Sequence, residues 1–313
     1  MTNENKLISI VIPTYNGAET LPKLIDELIE VFKSLKLELV IINDDSPDNT
    51  HKLSDVFLEK YPDKITYIKL AKNFGEYNAV MAGLRYAQGE LIIIVDDDYQ
   101  NLPQEVFKLA KFSLSNNYDA VFCKYKEKKH SFIRNIMSKI NNFSAEYLLK
   151  KPKNIYFSSF KSISRKLVDQ IIKYNGPYPY IDGLILSNTK NFGSLEIEHS
   201  DRKHGKSNYN LYKLAKHYSN LITNFSTIPI HLFSILGLIV TTISIFLIFY
   251  ILVEKYLNPD IPLGYASLIT IILFFSGIQI LFLGLIGEYI GKILKNVNKE
   301  NQYVIDIIKK KNN

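Results

Sequence analysis

The chain has 313 residues, room for one large or two modest domains, and its 47% hydrophobic content is that of a folded protein. A single cysteine, Cys123, excludes an internal disulfide framework and agrees with a reducing compartment. The net charge of +7 does not point to nucleic acid, because the lysines lie mostly beside two long apolar runs, where anionic headgroups would attract them.

In chain order, strand and helix patterns alternate. Met1 to Lys6 has no signal-peptide core and runs into an apolar strand, Leu7 to Ile12, that ends in Pro13-Thr-Tyr-Asn-Gly17. Leu21 to Leu35 has helical spacing, and Leu37 to Ile42 is a second strand ending in Asn43-Asp44-Asp45-Ser46. A helix over Thr50 to Tyr61, a strand over Ile65 to Leu70 and a helix over Glu76 to Gln88 follow. The next strand, Leu91 to Val95, is β-branched throughout most of its length and leads directly into Asp96-Asp97-Asp98-Tyr99-Gln100. This succession predicts an α/β fold with a mostly parallel sheet and a ligand crevice at the strand carboxyl ends. Pro13, Asp44, Asn73 and Asp96 each lie just past such an end. Three crowded carboxylates need cationic company, and hard oxygen ligands suit Mg²⁺ or Mn²⁺ holding a phosphate. A solvated acidic turn would explain the triplet as well. Ala120 to Cys123 is a further apolar run that would bury the thiol, and no internal repeat or low-complexity linker occurs.

The second part of the chain changes character. Phe132, Ile133, Ile136, Met137, Ile140 and Phe143 recur at helical spacing beside Arg134 and Lys139, which predicts over 131–149 a helix lying in the membrane interface or an ordinary core-facing one. Tyr209 to Thr223, with Tyr212, Lys213, Lys216 and Tyr218, suits the headgroup plane. Ser226 to Val253 and Ile261 to Gly287 contain no Asp, Glu, Lys or Arg, and each exceeds the roughly 20 residues that cross a bilayer. Lysines flank the pair on both outer sides, whereas the connecting loop holds only Glu254, Lys255 and Asp260, so both termini are expected in the cytoplasm. The expected division is a cytosolic domain over 1–208, a juxtamembrane helix over 209–227, spans over 228–253 and 263–287 joined by an outer loop 254–262, and a cytosolic basic tail over 288–313.

Five motifs then appear in a telling order. They are Ile12-Pro-Thr-Tyr-Asn16, Asn43-Asp-Asp-Ser-Pro-Asp-Asn-Thr50, Asn73-Phe-Gly75 with Ala79 and Gly83, Asp96-Asp-Asp-Tyr-Gln-Asn-Leu-Pro103, and Arg202-Lys-His-Gly-Lys-Ser-Asn-Tyr209. With the two spans and Gly284-Leu-Ile-Gly-Glu-Tyr-Ile-Gly-Lys292, nearly the whole chain resembles the family 2 glycosyltransferases of the polyprenyl-phosphate type, such as dolichol-phosphate mannose synthase. The resemblance implies a GT-A fold in the cytoplasmic membrane, a UDP- or GDP-linked sugar as donor, an undecaprenyl or dolichol phosphate as acceptor, inversion at the anomeric carbon and a homo-oligomer, tetrameric in some relatives.

It also implies roles residue by residue. Asp96 and Asp98 match the outer carboxylates of the family's DxD motif and, with Gln100 beside them, would hold the divalent ion on the donor diphosphate, whereas Asp97 takes the middle position. Asp44 matches the second aspartate of DDGS and would bind base or ribose; Asn43 and Asp45 depart from that motif. Pro13, Tyr15 and Asn16 would line the nucleobase pocket, and Lys72 and Asn73 would approach the diphosphate. Asp48 to Thr50 also reads as an Asx turn capping the next helix. Arg202, Gly205, Lys206 and Ser207 match RxxGxS, whose guanidinium suits bidentate phosphate binding. Where many relatives carry Asp-Phe-Arg, this chain reads Ser159-Phe-Lys161. Ser159 cannot act as a base there, but a phosphomonoester is largely dianionic at pH 7 and needs none. Lys161 would bind the acceptor phosphate, and Asp182 is a remaining acid near that face or a helix cap. Competing expectations are a transferase extending a lipid-linked oligosaccharide or polymer, and a nonenzymatic membrane partner that keeps the fold.

Overall fold

A computed structural model describes residues 6–125, 155–198, 264–298 and 301–310, together with single positions between 235 and 257. The chain divides into two compact units, one holding 1–209 with 299–313 and the other 210–298.

In the first unit, β1 (Leu7–Thr14), α1 (Leu21–Val31), β2 (Lys36–Asn43), α2 (Thr50–Lys60), β3 (Ile65–Leu70), α3 (Glu76–Tyr86) and β4 (Leu91–Ile94) alternate as the periodicity predicts. There follow α4 (Pro103–Ser115), β5 (Ala120–Tyr125), β6 (Lys161–Ser164), α5 (Arg165–Ile171), α6 (Ile181–Asn188), β7 (Phe192–Ile197) and β8 (Ile305–Lys310). The sheet has the order β7-β5-β6-β4-β1-β2-β3-β8. β1 pairs in parallel with β2 and β4, and β2 with β3, whereas β6 and β8 run antiparallel to β4 and β3.

Period-2 alternation feeds two cores. Ile8, Ile10, Ile12, Leu39, Ile41, Leu91 and Ile93 pack on one face with the buried stripe of α1, Leu21, Leu24, Ile25 and Leu28. Val11, Val40, Ile42, Ile92 and Ile94 face α3, α5 and α6 on the other. Burial on both faces explains why these strands read as unbroken β-branched runs. After β1 the chain winds outward to β2 and β3, then returns to place β4 on the opposite side of β1. The reversal makes a switch point between the carboxyl ends of β1 and β4, where an open α/β sheet binds its ligands.

Two elements differ from the sequence expectation. The span 288–313 is not simply a basic tail, because Ile305–Lys310 adds an edge strand to β3. Lys69 Nζ reaches Asp306 at 2.8 Å and Lys309 Nζ reaches Asp55 at 2.7 Å, and such charges keep an edge strand from pairing with another chain. Arg85 holds the approach to this strand, donating to Gln302 Oε1 at 3.3 Å and to Tyr303 Oη at 3.2 Å. In the second unit, α7 (Tyr265–Val297) begins two residues into the expected span 263–287 and continues past Gly287. Its segment Phe274–Gly291 is long and apolar enough to cross a membrane, the one such helix among the described residues. The described positions between 235 and 257 are helical, whereas 209–227, most of 228–253 and the helix expected over 131–149 lie outside the described residues.

Candidate active site at the carboxyl edge of the sheet

Each of the strands β1 to β4 exits through a loop with one left-handed residue. These are Asn16 (φ 63) after β1, Asp45 (φ 55) after β2, Gly75 (φ 90) after β3 and Tyr99 (φ 61) after β4. Asn, Asp and Gly tolerate this backbone; a tyrosine there is unusual. The four loops thereby turn sharply at a single edge, which brings the expected site residues from β1, β2, β3 and β4 together.

The acidic turn is not three equivalent carboxylates. Asp97 accepts a hydrogen bond from Thr14 Oγ1 at the end of β1. Gly17 makes room for this contact, since a Cβ there would stand 2.2 Å from Thr14 Oγ1 and 2.6 Å from Asp97 Oδ2. Burial pushes the Asp97 carboxyl up to about 7, with Asp96 and Asp98 adding to the rise and the Thr14 and Tyr15 donors opposing it. Asp96 accepts from Ser159 Oγ, and Asp98 Oδ1 accepts from the backbone N–H of Gln100 at 3.1 Å. Among the described residues no three His, Cys, Asp or Glu side chains are grouped to hold an ion by themselves. Two hard carboxylates one residue apart fit instead a Mg²⁺-like ion that takes one or two protein ligands, with waters and substrate phosphates completing the shell.

The expected nucleotide residues separate by exposure. Tyr15 is 44% exposed and Asn16 is exposed, its N–H donating to Ser46 Oγ at 3.0 Å. Pro13 is buried within β1, opposite Ile42 of β2. Lys72 and Asn73 are exposed, and Lys72 Nζ lies 5.1 Å from the centroid of the Phe74 ring. Asp44 is only 4% exposed and accepts from Phe74 N at 2.7 Å and Gly75 N at 2.8 Å. Burial raises its carboxyl above the usual range, and those two N–H donors hold the rise down. Its visible work is to fasten the β3–α3 loop beneath the edge, a role the motif did not disclose.

Asp48 forms the expected Asx turn, its Oδ1 accepting from Thr50 N at 3.0 Å. The other oxygen accepts from Ala18 N at 3.0 Å, and Gly17 N donates to Thr50 Oγ1 at 3.1 Å, so the β2–α2 loop buttresses the β1–α1 loop.

On the far side of β4, Lys161 stands opposite Ile94 in the β4–β6 pair. It is 3% exposed and ion-paired with Asp182, itself 6% exposed, and its Nζ lies 5.6 Å from the Phe122 ring centroid. An incoming phosphate would therefore compete with Asp182 for this ammonium. Asp182 is not the N-cap of α6, a position held by Tyr180. Glu76, the first residue of α3, is the acid that sequence reasoning passed over. Glu76 is itself exposed, yet crowding by the surrounding protein, then the charges of Asp96, Asp182 and Asp97, hold its carboxyl above the ordinary range against the pull of Lys161. An acid in the first turn of a helix is so common as a dipole partner that it carries no signal in sequence. Arg202, Lys206 and Ser207 lie outside the described residues.

The family model of glycosyl transferase family 2 matches residues 9–172, and that of the GtrB C-terminal hairpin matches residues 228–293. The chain is 30% identical over 304 residues to undecaprenyl-phosphate 4-deoxy-4-formamido-L-arabinose transferase of Proteus mirabilis (strain HI4320), covering 95% of this chain and 92% of that one. It is 31% identical over 304 residues to the protein of the same name from Aeromonas hydrophila subsp. hydrophila, covering 96% and 93%. Among solved structures, glucosyl-3-phosphoglycerate synthase from Mycobacterium tuberculosis in complex with phosphoglyceric acid aligns with a TM-score of 0.51 at 16% identity, over 70% of this chain and 79% of that one. The same synthase in complex with Mn²⁺, UDP and phosphoglyceric acid aligns with a TM-score of 0.50 at 16% identity, over 70% and 76%. These likenesses establish the fold as GT-A.

Proposed function

The chain belongs to glycosyl transferase family 2, and from that premise we propose that it transfers a sugar from a nucleotide-activated donor to undecaprenyl phosphate at the cytoplasmic face of a membrane. The acceptor is suggested by the relatives of about equal length. The transfer chemistry rests on one observation: the switch point between β1 and β4 carries Asp96 and Asp98, with Asp97 drawn aside to Thr14.

In this reading Asp96 and Asp98, with Gln100 beside them, hold a divalent ion on the donor diphosphate. That ion, when bound, supplies a Lewis acid that takes up charge on the departing nucleoside diphosphate. Tyr15, exposed at the β1 exit, stacks on the base with Asn16 beside it, Pro13 being buried within β1 and confined to shaping that exit, and Lys72 and Asn73 approach the phosphates. Asp44 contributes by fixing the loop that carries Asn73. Arg202, Lys206 and Ser207 would complete the phosphate-binding set.

The lipid phosphate oxygen attacks the anomeric carbon in line, the bond from that carbon to the diphosphate oxygen breaks, and the configuration inverts. No proton has to be removed, because the second pKa of a phosphomonoester lies near 6. Ser159 at the family's aspartate position is then tolerable: it donates to Asp96 and orients a carboxylate where relatives carry an acid. Catalysis lies in positioning and in stabilising the leaving group. Lys161 reaches the acceptor phosphate only by sharing with Asp182. The long apolar α7 and the match to the GtrB hairpin support a two-helix anchor with both termini cytoplasmic.

The test is a donor and acceptor panel. Full-length protein with Mg²⁺ or Mn²⁺, a set of UDP-, GDP- and dTDP-sugars and undecaprenyl phosphate is expected to yield a mild-acid-labile glycolipid and free nucleoside diphosphate. Extension of a lipid-linked oligosaccharide while the monophosphate is ignored would overturn the acceptor, and no turnover with any donor would overturn the whole reading.

A further inference from the structure

Tyr99 occupies the position in the acidic turn where the chain reverses with a left-handed backbone, φ 61, between Asp98 and Gln100. Gly or Asn would adopt that conformation at little cost, whereas a bulky aromatic holds it only if its surroundings over-determine it. They do. The side chain is 8% exposed and packs in the core between the sheet and α1. Its hydroxyl donates to the Glu27 carboxylate on α1. Lys23, one turn earlier on the same helix, stands 3.7 Å from Glu27 and 4.9 Å from the centroid of the Tyr99 ring.

We infer that the Tyr99–Glu27 hydrogen bond is a tether that holds the acidic turn in its ion-binding shape, which makes Tyr99 and Glu27 positioning residues for the divalent ion. The inference rests on the assignment of that ion to Asp96 and Asp98. Asp97 is pinned to β1 through Thr14 and Tyr99 is pinned to α1 through Glu27, so the turn is fixed at two points, one on either side of Asp98. Without the hydroxyl, a phenylalanine would keep the core packing but lose the bond that fixes the ring to α1, and relaxation of φ at residue 99 would move Asp98 and Gln100 relative to Asp96.

Mn²⁺ alone, titrated into the full-length protein and followed by electron paramagnetic resonance, tests this without reference to turnover. Tyr99→Phe and Glu27→Ala are each expected to weaken Mn²⁺ binding about tenfold, equivalent to 1.4 kcal/mol. The double variant is expected to be no weaker than either single one, because both remove the same bond. Tyr99→Asn, which accepts the left-handed backbone without a tether, is expected to bind Mn²⁺ more tightly than Tyr99→Phe; a residue that merely stabilises the fold would show no such rescue. Wild-type affinity in Tyr99→Phe and Glu27→Ala, alongside loss of binding in Asp98→Ala, would overturn the tether and leave the ion site standing. Wild-type protein that binds no more Mn²⁺ than Asp98→Ala would overturn the ion assignment and the tether with it.

Discussion

The two edges of one sheet are built on opposite plans. At the amino edge, the buried carboxylate of Glu38 accepts from Ser9 Oγ at 2.6 Å and from Gln88 N at 2.9 Å, and Ser9 Oγ accepts in turn from Gly89 N at 2.7 Å. Arg165 seals the same edge by donating to Gly89 O at 2.9 Å and Ala87 O at 2.6 Å. At the carboxyl edge, three successive carboxylates lie in one turn and each of β1 to β4 exits through left-handed backbone. Like charge and unusual backbone both disfavour the folded state, and they are kept where a ligand repays them. In the proposed function one edge therefore serves stability and the other binding, although the same four strands make both.

The largest effect that would sharpen this contrast is expected at Asp98. Asp98→Ala should lower kcat/KM by about a thousandfold, roughly 4 kcal/mol of transition-state stabilisation. Its Tm should hold or rise, because one of three neighbouring like charges is removed. Initial rates of glycolipid formation and a thermal scan of the same preparation measure the two halves of the prediction. A Tm that fell in step with activity would mean that the carboxyl edge is stabilised by its charges after all. Glu38→Ala should do the reverse. It deprives the Ser9 hydroxyl and the Gln88 N–H of a buried acceptor and should cost about 2 kcal/mol of stability, with donor KM unchanged well below the melting transition. Altered donor KM at full stability would place the amino edge within reach of substrate and break the comparison.

What the sequence disclosed follows from which forces are local. The parallel strands were legible because burial on both faces leaves unbroken apolar runs, and Ile65–Leu70 was read to its last residue. Helix ends were less so: α1 stops at Val31, short of the expected Leu35, because the Lys33 N–H turns to Glu30 O at 3.3 Å and the Leu35 N–H to Phe32 O at 2.9 Å, three-residue turns tighter than an α-helix. β8 was hidden in a lysine-rich stretch, since Ile305-Asp-Ile-Ile-Lys-Lys310 lacks a clean alternation of charged and apolar residues and its partner β3 is remote in the chain. At the site, motifs located the edge but not the division of labour upon it. That Asp97 is withdrawn to Thr14, that Lys161 is engaged by Asp182 and that Tyr99 is left-handed all depend on contacts between distant segments. Asp48 was the exception, because an Asx turn is written within three residues.

Asp48 is also where the two plans meet, and the smallest of these effects is expected there. It lies at the carboxyl edge yet is wired like Glu38, accepting from Thr50 N and Ala18 N, each at 3.0 Å, and from Thr50 Oγ1 at 2.5 Å. Burial alone would raise its carboxyl; the hydrogen bonds from the Thr50 hydroxyl, the Thr50 N–H and the Ala18 N–H outweigh burial and hold it below the usual range. A carboxyl with a depressed folded-state pKa stabilises the fold fully above its unfolded value near 4 and loses that contribution as pH falls through the folded value. Asp48→Asn should therefore cost about 1 kcal/mol at pH 7, with the difference from wild type shrinking as pH drops below about 4. Paired thermal scans from pH 7 down to about pH 3 measure it. A gap that stayed constant would mean that the amide loses packing rather than charge-assisted bonds, and a gap confined to catalysis would move Asp48 from the scaffold into the site.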